Sequence, residues 1–177
     1  MKLSLVLACM LALSIPVLSM NRSFEPADSP SDDELKAMPA IKLQDLSGKD
    51  AATDQFKNNV VLFDFWATWC GPCIAEIPFL NRLQEKYGAE GLKVVGVTLL
   101  SGDAGEVKPF VSRFKMGYSI LMGDDNQAYD LNIIGFPTTY LVSRDWKIFR
   151  KYVGAGPAKN QQMEADIKQL LELKAKR

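Results

Sequence analysis

From residue 40 onward, apolar and polar residues fall into short segments whose spacing alternates between that of a strand and that of a helix. The run 60–66 is almost entirely apolar, as in a central strand that is covered on both faces of its sheet. The predicted strands are 41–46, 60–66, 93–100, 118–122, 138–142 and 147–153, and the predicted helices are 70–87, 106–115, 127–131 and 161–174. Strand–helix alternation that ends in a hairpin and a helix predicts an α/β fold, with a mixed sheet flanked by helices.

Two segments of different composition precede this region. Residues 1–20 carry one basic residue, Lys2, followed by an apolar stretch from Leu3 to Met20 with Ser19 near its end. This pattern predicts either a cleaved signal peptide or a retained N-terminal membrane anchor. Residues 21–39 are rich in proline, serine and acidic residues and cannot supply a core, so they are predicted to form a solvated tether. Residues 40–177 are the predicted domain. This layout indicates an exported protein, periplasmic or membrane-anchored, whose domain lies outside the cytoplasm.

The composition restricts the chemistry that the domain can perform. The chain has 21 basic and 21 acidic residues, so no basic field attracts nucleic acid. It has no histidine, so acid–base chemistry must fall to carboxylates, lysine, tyrosine or cysteine. Cys9 lies in the N-terminal apolar stretch, which leaves only Cys70 and Cys73 in the domain. Two such cysteines suit a redox pair or a two-thiolate metal site, but neither a scaffold of several disulfides nor a four-ligand zinc site within one chain.

Cys70 and Cys73 stand where the apolar strand 60–66 gives way to the helix 70–87. Amide groups at a helix N-terminus have no partner within the helix, and together with the helix dipole they favour a negative charge. The thiolate form of the first cysteine is therefore expected to be favoured. A strand before the pair, a helix after it and the lack of further ligands favour the redox interpretation.

Three motifs carry a resemblance to a known family. Phe-Trp-Ala-Thr-Trp-Cys-Gly-Pro-Cys occupies 65–73, Glu-Ile-Pro follows at 76–78, and Gly-Phe-Pro-Thr-Thr-Tyr-Leu-Val occupies 135–142. With these motifs the chain resembles the thioredoxin superfamily over roughly residues 40–175, and specifically the exported TlpA/ResA-like thiol–disulfide oxidoreductases. The resemblance implies a thioredoxin-like fold, in which a strand and a helix between residues 100 and 131 form an insertion.

The resemblance also implies a role for each matching residue. Cys70 corresponds to the exposed nucleophile that attacks a substrate disulfide, and Cys73 to the shielded thiol that resolves the mixed disulfide. Pro137 corresponds to a cis-proline that faces the disulfide, and the backbone of Phe136 to the segment that pairs with an extended substrate. The implied substrate-binding residues are Trp69, Gly71, Pro72, Phe136 and Pro137.

Two acidic residues are candidates for proton transfer. Asp64 interrupts the apolar run 60–66, and a buried carboxylate without a partner is costly, so it is expected to hold or transfer a proton. Glu76 lies three residues after Cys73, on the same face of the predicted helix. Asp64 matches the buried aspartate of thioredoxin, and Glu76 a glutamate of the TlpA/ResA-like branch. Which of the two acids is the main proton acceptor is left open. Each also has a purely structural interpretation: Asp64 as a core residue whose hydrogen bonds are satisfied, and Glu76 as part of a solvated helix face.

The resemblance implies an enzyme that reduces protein disulfides and needs neither a cofactor nor a bound metal. Gly-Pro between the cysteines is similar to the reducing members of the superfamily, and the family receives its electrons from a membrane thiol donor. Two other classes remain open, a Cu(I)-handling thiol protein and a thiol peroxidase. Metal analysis of the reduced protein tests the first of these, and peroxide consumption tests the second.

Overall fold

The computed structural model describes residues 36–175, in which strands and helices alternate as the apolar pattern predicts. The strands are β1 (Leu43–Asp45), β2 (Val60–Trp66), β3 (Leu92–Thr98), β4 (Ser119–Gly123), β5 (Thr138–Val142) and β6 (Ile148–Val153). The helices are α1 (Gly71–Tyr87), α2 (Ala104–Arg113), α3 (Gln127–Asp130) and α4 (Pro157–Ala175), with 3₁₀ helices at Thr53–Phe56 and Gly88–Glu90. α4 begins at Pro157 rather than at residue 161, because proline suits the first position of a helix although the apolar pattern starts only later.

β2 lies inside a six-stranded mixed sheet with the order β1-β4-β3-β2-β5-β6. It pairs in parallel with β3 and antiparallel with β5, and all seven of its residues are buried, as its apolar sequence predicts. β4 pairs in parallel with β3 and antiparallel with β1, and β6 pairs antiparallel with β5 at the other edge. The interval between residues 100 and 131 therefore contributes α2, the inner strand β4 and α3. The predicted mixed sheet flanked by helices is confirmed.

The two faces of the sheet carry separate apolar clusters, because successive side chains of a strand point to opposite faces. In β2, Phe63 and Phe65 join one cluster, whereas Leu62 and Trp66 join the other. The second cluster also contains apolar side chains of α1 and α4, among them Leu80, Leu83, Met163 and Ile167. Asp64 occupies the position between Leu62 and Trp66 on the same side of β2, so its side chain faces α1 and α4.

Residues 36–38, which the sequence assigns to the end of the tether, pack on the domain. The amide of Ile148 donates to the carbonyl oxygen of Lys36 at 2.8 Å, and the amide of Met38 donates to that of Trp146 at 2.9 Å. The Met38 side chain is buried in the cluster opposite α1. A pairing of this length contains too few residues to produce a periodic pattern, so the sequence does not reveal it.

The predicted signal peptide or membrane anchor at 1–20 lies outside the described residues, as does most of the predicted tether at 21–39. Among the helices of residues 36–175, none has the length and apolar character needed to cross a membrane. The assignment of these first two segments therefore stays a prediction.

Candidate active site

The two cysteines of the motif lie at the N-terminus of α1, after the loop that follows β2. Cys70 is the N-cap residue of α1, with an extended backbone, and it forms a disulfide with Cys73. The amide of Cys73 donates a hydrogen bond to the sulfur of Cys70 at 3.2 Å. An amide of the first turn is therefore directed at the Cys70 sulfur, where it stabilises a thiolate after reduction.

Exposure does not distinguish the two cysteines. Cys70 and Cys73 are each 4% exposed, so the expectation that Cys70 is the exposed member of the pair is wrong for the disulfide form. Both residues belong to the apolar cluster that includes α1, and their bonded sulfur atoms cover part of each other's surface. Position in the helix separates them instead, because Cys70 precedes the first turn and Cys73 lies within it.

Trp69 and Phe136 form an aromatic surface next to the cysteine pair. Their rings make an edge contact with centroids 5.7 Å apart, and the Trp69 indole N–H donates to the carbonyl oxygen of Leu100 at 2.9 Å. Trp69 is 65% exposed, and Gly71 and Pro72 are exposed as well. An exposed aromatic ring that is held by a hydrogen bond and a ring contact offers a rigid surface to an apolar segment of another protein.

The peptide bond between Phe136 and Pro137 is cis, as the resemblance predicts. Pro137 is buried and immediately precedes β5, and its carbonyl oxygen accepts a hydrogen bond from the amide of Gly154 at 2.8 Å. The five residues predicted to bind substrate therefore lie in two segments, one before and at the start of α1 and one before β5. The ring contact between Trp69 and Phe136 joins these segments.

Asp64 is 3% exposed and faces α1 and α4 from the middle of the sheet. It pairs in register with Thr139 of β5, whose hydroxyl donates to a carboxylate oxygen of Asp64 at 2.9 Å. Burial, followed by the negative charge of Glu76, raises the pKa of Asp64 to about 7, while the charge of Lys159 and the Thr139 hydrogen bond oppose this rise. Asp64 can therefore gain or lose a proton near neutral pH.

The interpretation of Glu76 as part of a solvated helix face is wrong, because Glu76 is 3% exposed. It lies one helical turn after Cys73, within α1. The ammonium nitrogen of Lys159 lies 2.9 Å from each carboxylate oxygen of Glu76. Burial raises the pKa of Glu76, and the charge and hydrogen bond of Lys159 oppose that rise.

Lys159 is a residue of this site that the sequence does not identify. Its ammonium nitrogen also lies 3.4 Å from the Thr139 hydroxyl, so contacts run continuously from Asp64 through Thr139 and Lys159 to Glu76. These four residues belong to β2, β5, α4 and α1 respectively. The only signal in the sequence is general: buried acids in a chain without histidine need lysine or arginine as their cation.

A buried tyrosine faces the same acids from a fifth segment, just before β4. Tyr118 is 8% exposed, and burial together with the charges of Asp64 and Glu76 raises the pKa of its hydroxyl. The phenol is therefore neutral at physiological pH. The charged groups of the cluster are thus two carboxylates and the single ammonium group of Lys159.

Comparisons with known proteins agree with this geometry. The family model described as Redoxin matches residues 33–171. The chain is 33% identical over 131 residues to the thioredoxin-like protein YneN of Bacillus subtilis, an alignment that covers 73% of this chain and 76% of YneN. It is 29% identical over 138 residues to the thiol-disulfide oxidoreductase ResA of Bacillus thuringiensis, with 76% of this chain and 77% of ResA covered.

Solved structures share the fold. A Chlorobium tepidum protein assigned as a thiol:disulfide interchange protein DsbE superposes with a TM-score of 0.71 at 29% identity, over 77% of this chain and 96% of that one. The thioredoxin domain of a thiol-disulfide oxidoreductase from Bacteroides vulgatus superposes with a TM-score of 0.65 at 26% identity, over 75% of this chain and 96% of that one. The predicted thioredoxin-like fold is thereby confirmed. The chain belongs to the Redoxin family within the thioredoxin superfamily and is a ResA-like thiol–disulfide oxidoreductase.

Proposed function

We propose that the protein reduces disulfide bonds of other proteins outside the cytoplasm, with Cys70 as the attacking thiol and Cys73 as the resolving thiol. The observation that carries this proposal is the hydrogen bond from the Cys73 amide to the Cys70 sulfur at the N-cap of α1. It stabilises negative charge on Cys70, and a thiolate is the form that attacks a disulfide.

The reaction begins with both thiols reduced. The Cys70 thiolate attacks one sulfur of a client disulfide, forms a mixed disulfide and releases the other client sulfur, which takes up a proton. Cys73 then loses its proton to a nearby carboxylate and attacks the Cys70 sulfur, which releases the second client sulfur as a thiol. The client has gained two electrons, and the protein is left with the disulfide that the structure contains.

Asp64 and Glu76 are the proposed acceptors of the Cys73 proton. Cys73 is buried, so water has poor access to its thiol, and the thiolate is disfavoured there without a base. Both carboxylates are buried on the α1 side of the sheet, and Glu76 lies one turn from Cys73. A pKa of about 7 for Asp64 suits a base that must both accept and release a proton at neutral pH.

The aromatic surface is the proposed docking site for the client. Trp69 and Phe136 supply its apolar part, and Gly71 and Pro72 leave the approach to the cysteines free of large side chains. An extended client segment would run beside Phe136 and Pro137 and bring its disulfide to Cys70. The clients are therefore proteins whose disulfide lies in an exposed, flexible segment.

The reductive direction and the location are proposed from the sequence. Gly-Pro between the cysteines favours the reducing direction, and a membrane thiol donor would return the disulfide to two thiols. The positive start and the apolar stretch of residues 1–20 favour export, with a tether at 21–39 where the stretch is retained as an anchor. The location is tested with a reporter enzyme that works only in the cytoplasm, fused after Arg177. Activity of this fusion would contradict the proposed location.

Reduction of insulin by dithiothreitol tests the proposed activity. We expect the protein to accelerate the reaction, and we expect Cys70→Ser to abolish the acceleration because it removes the attacking sulfur. Equal acceleration by the wild type and by Cys70→Ser would contradict the proposal.

A further inference from the structure

Lys159 occupies an unfavourable position for a lysine. It lies in the first turn of α4, where the helix dipole is positive and repels a cation, and its side chain is only 11% exposed. A buried ion pair is also a poor source of stability, because desolvation of both charges offsets their attraction. These costs indicate that the charge of Lys159 serves a purpose other than holding α4 in place.

The groups that contact Lys159 or interact with its charge come from three other elements. They are Asp64 from β2 and Glu76 from α1, while Thr139 from β5 supplies a hydroxyl. The buried phenol of Tyr118, just before β4, interacts with the charges of the same two acids. Two carboxylates thus share one cation. Two nearby buried acids do not both ionise readily, so the position of the cation decides which of them does.

Lys159 is placed asymmetrically between the two acids. Its nitrogen lies 2.9 Å from both oxygens of Glu76, whereas it reaches Asp64 only through the Thr139 hydroxyl, at 3.4 Å and then 2.9 Å. Because electrostatic attraction weakens with distance, the direct contact favours the charge on Glu76.

We propose that Lys159 is a positioning residue that keeps Glu76 ionised and thereby leaves Asp64 as the group that takes the proton of Cys73. The inference rests on the proposed roles of Cys73 and the two acids and assigns them separate tasks. Glu76 carries the standing negative charge of the site, and Asp64 cycles between its neutral and charged forms. The proton moves from the Cys73 sulfur to the Asp64 carboxylate and then to solvent.

Loss of the Lys159 charge should change the pH at which the enzyme works. Without the cation both carboxyl groups retain their protons to higher pH, so no base is available to Cys73 at pH 7. We expect Lys159→Met to reduce insulin about tenfold more slowly at pH 7 and to recover toward the wild-type rate above pH 8.5, as the pH profile moves upward by about one unit.

Two further variants separate charge from packing. Lys159→Arg keeps the cation and should restore a profile close to that of the wild type. Lys168→Met removes an exposed lysine from the same helix and should leave the profile unchanged. A profile for Lys159→Met that matches the wild type, or a rate that falls by the same factor at every pH, would overturn the proposal.

A measurement on the wild-type protein does not depend on whether a variant folds. Carboxyl-carbon NMR of the oxidised protein should show Glu76 losing its proton at a lower pH than Asp64, and the opposite order would overturn the proposal.

The variants also separate the inference about Lys159 from the proposed function. If Asp64→Asn slows the reaction while Lys159→Met does not, the inference about Lys159 fails and the proposed function stands. If neither variant has an effect, the proposed proton-transfer role of the acids fails as well.

Discussion

Thr139 and Asp64 face each other across the pairing of β5 with β2, and the Thr139 hydroxyl donates to the Asp64 carboxylate at 2.9 Å. β5 begins directly after the cis bond between Phe136 and Pro137. One short segment therefore carries part of the proposed client-docking surface and also holds the proposed proton acceptor. The proposed docking surface and the proposed proton acceptor are therefore linked through residues 136–139.

Removal of either acid should slow disulfide reduction. We expect Asp64→Asn and Glu76→Gln to lower the rate of insulin reduction at pH 7 by very roughly tenfold to a hundredfold, with the larger loss for Asp64→Asn. The double variant should lose less than the product of the two factors, because the charge of Glu76 acts on the reaction through the pKa of Asp64. The loss in Asp64→Asn should shrink as pH rises, since hydroxide then replaces the missing base.

Glu85→Gln is a matched control for these variants. Glu85 also lies on α1 but is exposed, so its loss should leave the rate unchanged at every pH. Wild-type rates for both Asp64→Asn and Glu76→Gln across the pH range would show that the acids are structural and that the Cys73 proton passes directly to water.

Asp64 should also destabilise the folded protein at neutral and alkaline pH. Burial raises its pKa from the ordinary value of 3.8 to about 7 in the folded protein, so between these values the folded state binds more protons than the unfolded state. The free energy of unfolding therefore falls as pH rises through this window, and the full penalty applies above pH 7. We expect Asp64→Asn to be more stable than the wild type at pH 8, by a margin that is larger than at pH 5.

Urea unfolding of the oxidised proteins at pH 5 and pH 8 measures this margin. The same series on Glu85→Gln shows how much of the change comes from overall charge. A margin for Asp64→Asn that is equal at both pH values would mean that Asp64 ionises at its ordinary pKa in the folded protein.

Trp69 should contribute to client binding without contributing much to stability. It is 65% exposed, so Trp69→Ala removes little buried surface, but it removes the ring that contacts Phe136. We expect KM for insulin to rise about tenfold, as for a central aromatic contact of an interface, with little change in kcat or in Tm. A small aromatic disulfide does not extend over the aromatic surface of Trp69 and Phe136, so the rate of its reduction should change much less.

Leu173→Ala provides the comparison for Trp69→Ala, because it truncates another exposed apolar side chain, near the end of α4. Leu173→Ala should leave the rates with insulin and with the small disulfide unchanged. If Trp69→Ala loses activity toward insulin and toward the small disulfide equally, Trp69 affects the reactivity of the cysteines and not client binding.

Local sequence features predict the framework of the site well. The apolar run 60–66 identifies β2 because a strand covered on both faces needs apolar residues at every position but that of Asp64. The cysteine pair at the start of the next helix, the cis bond before Pro137 and the two acids also follow from short motifs. Each of these features lies within a few neighbouring residues, where the sequence records it directly.

Short motifs do not predict contacts between segments that are distant in the sequence. Lys159 reaches Glu76 from 83 positions away, and only the packing of α4 against α1 and β5 brings them together. The equal burial of Cys70 and Cys73 likewise depends on the disulfide and on the cluster around α1, and not on their order in the motif. Tertiary packing therefore decides the electrostatics of the site, which the motifs alone do not contain.

Capture of a mixed disulfide tests most directly which cysteine attacks the client and which one resolves the mixed disulfide. Cys73→Ser and Cys70→Ser are each expressed in cells, thiols are blocked at acidic pH, and covalent complexes are counted on non-reducing gels. With the proposed roles, Cys70 attacking and Cys73 resolving, Cys73→Ser should accumulate stable complexes with client proteins that disappear on reduction, and Cys70→Ser should accumulate none. Equal accumulation by the two variants, or accumulation by Cys70→Ser alone, would contradict the account.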